Sequence, residues 1–343
     1  MTLLAILLAV LLEQARPLPQ HHFVRRAMQH WLQWLRHHLD ADVPVQAGLI
    51  WSLAVVLPAL CSYLIHALLL HLLGWFAALV WMVFVLHATL AFRPFKHFFT
   101  RASHALETGD YARAREVLLQ QMFIHHHGEA QGRRLPQQAI LPLTLKTAIL
   151  LLHRNFFGVL SLFALLAWLG LGPAGAILFR SAEYVWGHWD ESNALHPVED
   201  RASAALQRVC RQLWRIVNWP PAYATGLLFA AAGNFEGALA AWRGMAEADP
   251  ADLDARVLAA VAGSMNMPLH RRRSMAGWGS ATRWEPDVGL PDATSGAMPP
   301  TPWPTADSAD PAQHVQQLAN LIWRALLLWL ALLLMVGMIV LVA

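Results

Sequence analysis

The run from Ala47 to Phe92 contains no Asp, Glu, Lys or Arg. A hydrocarbon core of about 30 Å needs about 20 helical residues at about 1.5 Å each, so this run is too long for one membrane span and suits two. Gly74, which is followed by Trp75, is the natural turn. The sequence therefore predicts a transmembrane helical hairpin over residues 47–92, with its turn at Gly74 and a kink at Pro58.

The composition points to the same class of protein. Hydrophobic residues make up 57% of the chain, charged residues make up 14%, and the mean hydropathy is +0.39. These values predict an all-α, polytopic integral membrane protein with helical cytoplasmic segments, whose main partner is the lipid bilayer rather than a nucleic acid. The two cysteines, Cys61 and Cys210, form no CxxC pair, which indicates no disulfide framework.

Basic residues flank the hairpin on both sides. Arginine and lysine concentrate in cytoplasmic loops, so both flanks are predicted to be cytoplasmic. The residues are Arg16, Arg25, Arg26 and Arg36 before the hairpin, and Arg93, Lys96, Arg101, Arg113 and Arg115 after it.

The segments around the hairpin have distinct patterns. Residues 1–46 predict a short apolar helix without the features of a signal peptide, followed by an amphipathic interfacial segment. Residues 93–139 predict a cytoplasmic helical segment, and residues 140–186 predict a membrane region with a polar break at His153-Arg154-Asn155. Either this triplet separates a short helix from a span over Phe156–Phe179 that is bent at Gly172-Pro173, or it faces a polar cavity.

The second half of the chain is predicted to contain three segments. Residues 187–267 predict a helical segment with a tetratricopeptide-like hairpin at Gly233-Asn234-Phe235, and an ordinary helical hairpin is the alternative because repeat arrays need at least three units. Within it, one helix is expected to end before Asn218-Trp219-Pro220-Pro221 and a short helix to cover Tyr223–Ala232. Residues 268–311 predict a disordered loop, and residues 321–343 a C-terminal transmembrane helix.

Signatures of known chemistry are missing from the sequence. It has no P-loop, no G-x-G-x-x-G, no G-x-S-x-G and no zinc signature. The histidines of residues 20–39 lack an HxxxH or HExxH spacing, and neighbouring histidines such as His125 and His126 would point to different faces of a helix. We therefore expect no metal and no cofactor.

Several short sequence segments occur in a characteristic order along the chain. They are Leu11-Leu12-Glu13, Leu106 to Arg115, Asn155 before Gly158-Val159, Phe179-Arg180, Asn218 to Ala222, Gly233-Asn234-Phe235, and Ala259 to Gly263. In this order they resemble the CobD/CbiB family of bacterial inner-membrane proteins, in particular its AmpE-like regulatory branch. The resemblance implies a multi-pass protein of the bacterial inner (cytoplasmic) membrane. It also implies a role in β-lactamase induction signalling, with another membrane or cytoplasmic protein as partner.

The enzymes of this family are adenosylcobinamide-phosphate synthases of cobalamin biosynthesis, and the resemblance implies three acidic motifs. The motifs are E-S-x-A-E-N-x-x-D-G, Y-[RK]-x-x-N-T-x-D and R-x-D-D-x-x-N-x-x-P-A-R. Aligned on Asn155, the first motif has Leu150 and Arg154 at its glutamates and Gly158 at its aspartate. Aligned on Phe179-Arg180, the second has Glu183 at its Asn and Trp186 at its Asp. Aligned on Asn218, the third has Gln212, Trp214, Arg215 and Tyr223 in place of Arg, Asp, Asp and Arg.

The acids of these motifs are thus replaced. Carboxylates are the usual protein ligands of magnesium, and Leu, Arg, Gly or Trp cannot substitute for them. The resemblance implies a family fold without catalytic residues, which keeps a vestigial polar pocket formed by Asn155, Arg154, Arg180, Glu183 and Asn218. Two alternatives remain: an amide-forming enzyme of cobalamin biosynthesis, and a small-molecule transporter. The transporter alternative rests on polar residues in apolar surroundings, namely His66, His71, His87, His153 and Arg154.

Overall fold

The computed structural model describes residues 2–15, 22–40, 42–90, 92–125, 137–191, 202–267 and 311–342. Every regular element in these ranges is helical. Within the described residues, four helical stretches are long and apolar enough to cross a membrane: Pro44–Leu73, Trp75–Glu107, Ala139–Trp168 and Ala312–Met335. The predicted fold class, an all-α polytopic membrane protein, is confirmed.

The helices are numbered in chain order. They are α1 (Thr2–Ala15), α2 (His22–Leu39), α3 (Pro44–Trp51), α4 (Leu57–Leu73), α5 (Trp75–Thr89), α6 (Phe92–Glu107), α7 (Tyr111–His125), α8 (Gln137–Leu152), α9 (Gly158–Trp168), α10 (Ala174–Trp186), α11 (Ala204–Ala232), α12 (Phe235–Ala248), α13 (Leu253–Ser264) and α14 (Pro311–Val342). Three π-helical turns join or extend them, at Ser52–Val56, His153–Phe157 and Gly187–Glu191.

The charge-free run of the sequence contains α4 and α5, joined at Gly74. Gly74 has φ 82°, a conformation that glycine adopts without the steric penalty of a Cβ atom. The two helices pack together, and the indole Nε1 of Trp81 donates a hydrogen bond to the Ser62 carbonyl at 3.1 Å. Pro58 lies in the first turn of α4, directly after the π-helical turn Ser52–Val56. Such a turn is a common way to accommodate a proline, whose ring would clash with a carbonyl of the preceding turn.

The chain divides into two compact units. The first lies within residues 1–93 and 154–221. In it α1 packs on α5, and α10 packs on α4, α5 and α9. Helices α9 and α10 approach closely at Gly175, where a Cβ atom would lie 2.2 Å from the Leu162 carbonyl oxygen.

The second unit lies within residues 94–153 and 222–343. Helices α12 and α13 form its most closely packed pair, and α8 contacts both α13 and α14. All residues of α13 are buried. Asp252 caps this helix by accepting a hydrogen bond from the Ala255 N–H at 2.9 Å. Burial raises the pKa of the Asp252 carboxyl to about 6, and the negative charges of Asp254 and Asp249 act in the same direction.

Two segments of similar sequence, Gly109-Asp110-Tyr111 and Gly233-Asn234-Phe235, each lead into the start of a helix. Asp110 accepts a hydrogen bond from the Arg113 N–H at 3.0 Å, and Asn234 accepts one from the Gly237 N–H at 3.0 Å. The likeness of the phrases therefore reflects a shared N-cap, in which a short polar side chain satisfies a free N–H of the first turn.

Two expectations about helix boundaries are wrong. Helix α11 does not end before Asn218 but continues through Pro220 and Pro221 to Ala232, so no separate short helix covers Tyr223–Ala232. Proline fixes φ at a helical value although it removes an N–H donor. Buried side chains on both sides of the prolines, including Trp214 and Phe229, favour continuation of the helix.

The second correction concerns the membrane region after residue 139. The triplet His153-Arg154-Asn155 lies in a π-helical turn inside the continuous helix Ala139–Trp168, and it does not separate two helices. The chain turns at Leu169–Pro173, which includes the predicted bend at Gly172-Pro173, and this turn separates α9 from α10 in place of one bent span over Phe156–Phe179. Gly170 and Gly172, with φ 82° and 56°, allow this turn.

At the C-terminus, α14 begins at Pro311, before the predicted start at Leu321. The predicted loop over residues 268–311 lies, up to residue 310, outside the described residues.

Candidate functional site

A polar cluster connects the π-helical turn His153–Phe157 with α10. The Nη1 atom of Arg180 donates a hydrogen bond to Oδ1 of Asn155 at 2.8 Å and one to Oε2 of Glu183 at 2.6 Å. Arg180 and Glu183 are three residues apart and therefore lie on the same face of α10. Three of the five residues predicted for the pocket are thus joined directly.

The negative charge of the Glu183 carboxylate is neutralised within this compact cluster. The side chain of Glu183 is 14% exposed and that of Arg180 is 34% exposed, while Asn155 is buried. A carboxylate that is largely removed from water requires a nearby cation or hydrogen-bond donors. Arg180 meets this requirement, so an oxygen of the Glu183 carboxylate is already engaged inside the protein.

Arg154, the fourth predicted residue, lies in an aromatic stack beside this cluster. Its guanidinium carbon is 4.7 Å from the centroid of the Trp186 ring, which is the geometry of a cation–π interaction. Trp186 stacks in turn on Trp214, with ring centroids 5.6 Å apart and planes inclined by 18°. Phe179 continues the stack with its centroid 5.4 Å from that of Trp214. The stack joins the π-helical turn, α10 and α11.

The stack brings together Arg154, Trp186 and Trp214, which belong to three separate segments of the chain. At each of these positions the family resemblance implies an acid. These segments are far apart in the sequence but adjacent in the structure. The sequence shows that one arginine and two tryptophans, residues that form cation–π contacts, occupy these positions, but not that they meet.

Asn218, the fifth predicted residue, lies on α11 and is buried. Its approach to Asn155 and Arg180 stays a prediction. Two residues that the sequence analysis did not single out act at the start of the same helix. The Ser203 N–H donates to Oδ2 of Asp40 at 3.0 Å, and the Ala205 N–H donates to Oδ1 of Asp42 at 2.9 Å. Carboxylates at this position complement the positive end of the helix dipole.

Three of the histidines that suggested a transporter have identifiable neighbours. Nδ1 of His87 lies 3.2 Å from Oε2 of Glu13 on α1. Nδ1 of His153 lies 2.9 Å from the hydroxyl oxygen of Thr225. The ring of His66 packs against Gly172 so closely that a Cβ atom there would lie 2.5 Å from it. Within the described ranges, no group of three His, Cys, Asp or Glu side chains is arranged to hold a metal ion.

Comparisons of the chain with protein-family models, with curated proteins and with solved structures gave no match. The fold and the cluster define a polytopic α-helical membrane protein with a half-buried polar and aromatic cluster.

Proposed function

We propose that this protein is a non-enzymatic regulatory or sensory protein of the bacterial inner membrane, similar in role to the AmpE-like branch of the CobD/CbiB family. Its activity would be exerted through a membrane or cytoplasmic partner protein, and it would act in the control of β-lactamase induction.

The observation that carries this proposal is the stack of Arg154, Trp186 and Trp214. In the enzymes that the sequence resembles the corresponding positions are acidic, and magnesium is bound in proteins by carboxylates together with substrate phosphates. Here the same positions hold a guanidinium and two indole rings in mutual contact. A cation packed on aromatic rings supports a structural role for the site in place of a metal-binding one.

The state of Glu183 supports the same proposal. It is the only acid at an aligned motif position, and its carboxylate lies 2.6 Å from the Arg180 guanidinium. A metal held by the other oxygen of this carboxylate would lie close to the Arg180 guanidinium, which is itself a cation. Like charges at this distance repel strongly in a partly buried site.

A complementation experiment tests the proposal against the enzymatic alternative. The chain is expressed in a strain that lacks the cobalamin-pathway synthase, and growth is measured under cobalamin limitation. We expect no rescue, whereas a family enzyme with intact acidic motifs, expressed from the same vector, restores growth. Immunoblots of the membrane fraction establish equal expression.

The variant Glu183→Gln makes the experiment decisive. If the wild-type chain rescued growth and Glu183→Gln abolished the rescue at equal expression, Glu183 would be a functional acid and the protein would be an enzyme. That outcome overturns the proposal.

A further inference from the structure

Helix α2 carries a ladder of three aromatic rings, formed by Trp31, Trp34 and His38. The indole rings of Trp31 and Trp34 are stacked, with centroids 5.5 Å apart and planes inclined by 9°. The imidazole ring of His38 stacks on Trp34 in turn, with centroids 4.7 Å apart. Nδ1 of His38 donates a hydrogen bond to the Trp34 carbonyl at 2.9 Å, which holds the imidazole in place. The three rings therefore form one continuous surface along the helix.

This ladder lies on the exposed side of α2. Angles around the helix are measured here from Trp31 at about 100° per residue. The buried positions lie at about 40°, 100° and 140°, and they are Leu35, Leu32 and Arg36. The exposed positions lie at about 200°, 240°, 300° and 340°, and they are Gln33, His37, Trp34 and His38. Trp31 and Trp34 are 37% and 49% exposed, so both indoles are available to the surroundings of the helix.

The buried side of α2 packs on the start of a membrane-spanning stretch. Helix α2 contacts α3 and the π-helical turn Ser52–Val56, and both belong to the apolar stretch Pro44–Leu73 and to the same compact unit as α2. Because α3 forms the first turns of this stretch, α2 is held at the level where the chain enters the membrane. An amphipathic helix at a membrane surface usually turns its apolar face to lipid. In α2, however, Leu32 and Leu35 are covered by protein, which leaves the ladder as the outer face.

The chemistry of α2 fits the headgroup layer of a phospholipid membrane. Trp is enriched at membrane–water interfaces, because its ring is apolar and its N–H group can donate a hydrogen bond to a lipid oxygen. Helix α2 contains three arginines and no Asp or Glu, so its charge complements lipid phosphate groups. A second copy of the chain would find no carboxylate on α2 to pair with the histidines of this face.

We propose that the ladder of Trp31, Trp34 and His38 is a binding surface for phospholipid headgroups, which anchors α2 at the membrane surface where α3 enters the bilayer. The rings lie at the headgroup level, between the acyl chains and water. This inference does not depend on the proposed regulatory function.

Spin-label accessibility on the full-length protein in phospholipid nanodiscs tests this surface. Exposed Cys61 is replaced by Ala, while buried Cys210 is retained. A single label is introduced at His37→Cys, which is exposed beside the ladder and leaves its three rings in place. Leu64→Cys, at a position of α4 that is 55% exposed, is the control for the acyl region. Glu116→Cys, at an exposed position of α7 outside the four apolar stretches, is the control for water.

The measured quantity is the ratio of collisions with oxygen to collisions with a water-soluble nickel chelate. Oxygen concentrates in the acyl region and the chelate stays in water. The ratio at His37→Cys should therefore lie several-fold above that at Glu116→Cys and several-fold below that at Leu64→Cys. A ratio equal to that of either control would overturn the proposal. Shielding of the label from both reagents would overturn it as well, because this side of α2 would then be covered by protein, such as a second copy of the chain.

The rings themselves are tested with the same label. Trp31→Ala/Trp34→Ala removes both indoles, and the ratio at His37→Cys should then fall towards that of the water control. Gln33→Ala, at an exposed position between the two tryptophans, is the matched control and should leave the ratio unchanged. Size-exclusion chromatography checks that the variants fold, and Trp34→Ala alone replaces the double variant if that variant does not. A ratio that stays the same without the indoles would show that the ladder does not bind headgroups, and it would refute the proposal.

Discussion

The crossing of α12 and α13 offers a sharp test of the packing in the second unit. Gly237 and Gly263 face each other across it. A Cβ atom on Gly263 would lie 2.3 Å from the Gly237 carbonyl oxygen, 2.7 Å from its carbonyl carbon and 2.9 Å from Cα of Ala238. All three are backbone atoms of a neighbouring helix, so no rotamer change can relieve the overlap. Gly263→Ala therefore requires one helix to move.

The magnitude follows from two opposing effects. Overpacking a well-filled interior costs about 1–3 kcal/mol, whereas replacing Gly by Ala inside a helix gains about 0.5–1 kcal/mol. We expect Gly263→Ala to destabilise the protein by about 1–2 kcal/mol. Gly244→Ala is the matched control, since it lies in α12 with no atom within 4 Å of the added methyl group. This variant should stabilise the protein by about 0.5–1 kcal/mol.

The assay is equilibrium unfolding of the purified full-length protein in detergent, followed by hydrogen exchange of α12 and α13. The two variants should shift stability in opposite directions, and Gly263→Ala should raise exchange in both helices. If Gly263→Ala were neutral, or if both variants destabilised the protein equally, the close helix crossing would be refuted.

Three further predictions follow from individual residues. The raised pKa of Asp252 means that the folded state binds the proton of this carboxyl more tightly than the unfolded state does. Protonation of Asp252 therefore contributes about 3 kcal/mol to the free energy of unfolding, at 1.36 kcal/mol per pKa unit. This contribution is complete below pH 3.8 and is lost as the pH rises through about 6. Asp252→Asn keeps the cap and should therefore be more stable than the wild type at pH 8 and equal to it at pH 3.5 in thermal unfolding. Arg180→Ala, which removes the shared donor of the polar cluster, should cost about 1–3 kcal/mol, whereas Arg215→Ala on an exposed face should change stability by less than about 0.5 kcal/mol. Reporter fusions at Pro44 and Lys96 should both give a cytoplasmic signal, because basic residues flank the hairpin.

Each of these has a contradicting outcome. A gap between Asp252→Asn and the wild type that is the same at every pH would show that the carboxyl does not titrate differently in the folded state. Equal effects of Arg180→Ala and Arg215→Ala would mean that the polar cluster adds nothing to stability. A periplasmic signal at either fusion site would overturn the predicted orientation.

The sequence predicts the membrane class and the first hairpin well, because both depend on local properties. A long run without charges can be stable only in a membrane, and Gly74 marks the position where the backbone needs a positive φ. The continuity of α11 could not be predicted in this way. Two adjacent prolines locally disfavour a helix, and the burial of Trp214 and Phe229 that favours it is a property of the tertiary structure.

The candidate site was predictable in its residues but not in its arrangement. The resemblance to a family selected Asn155, Arg180 and Glu183, which the structure joins by hydrogen bonds. The stack of Arg154, Trp186 and Trp214 depends on how α10 and α11 approach the π-helical turn. Contacts between segments distant in sequence are not encoded in any local pattern, so a single sequence could show only that unusual residues occupy those positions.

The proposed regulatory role is tested most directly by measuring β-lactamase activity in a deletion strain of the organism that encodes the chain. Activity is measured before and after exposure to an inducing β-lactam, in parallel with growth under cobalamin limitation. A regulatory protein predicts altered induction with normal growth, both restored to the wild-type pattern by the reintroduced gene. Unchanged induction together with a growth defect that cobalamin relieves would contradict the proposed function.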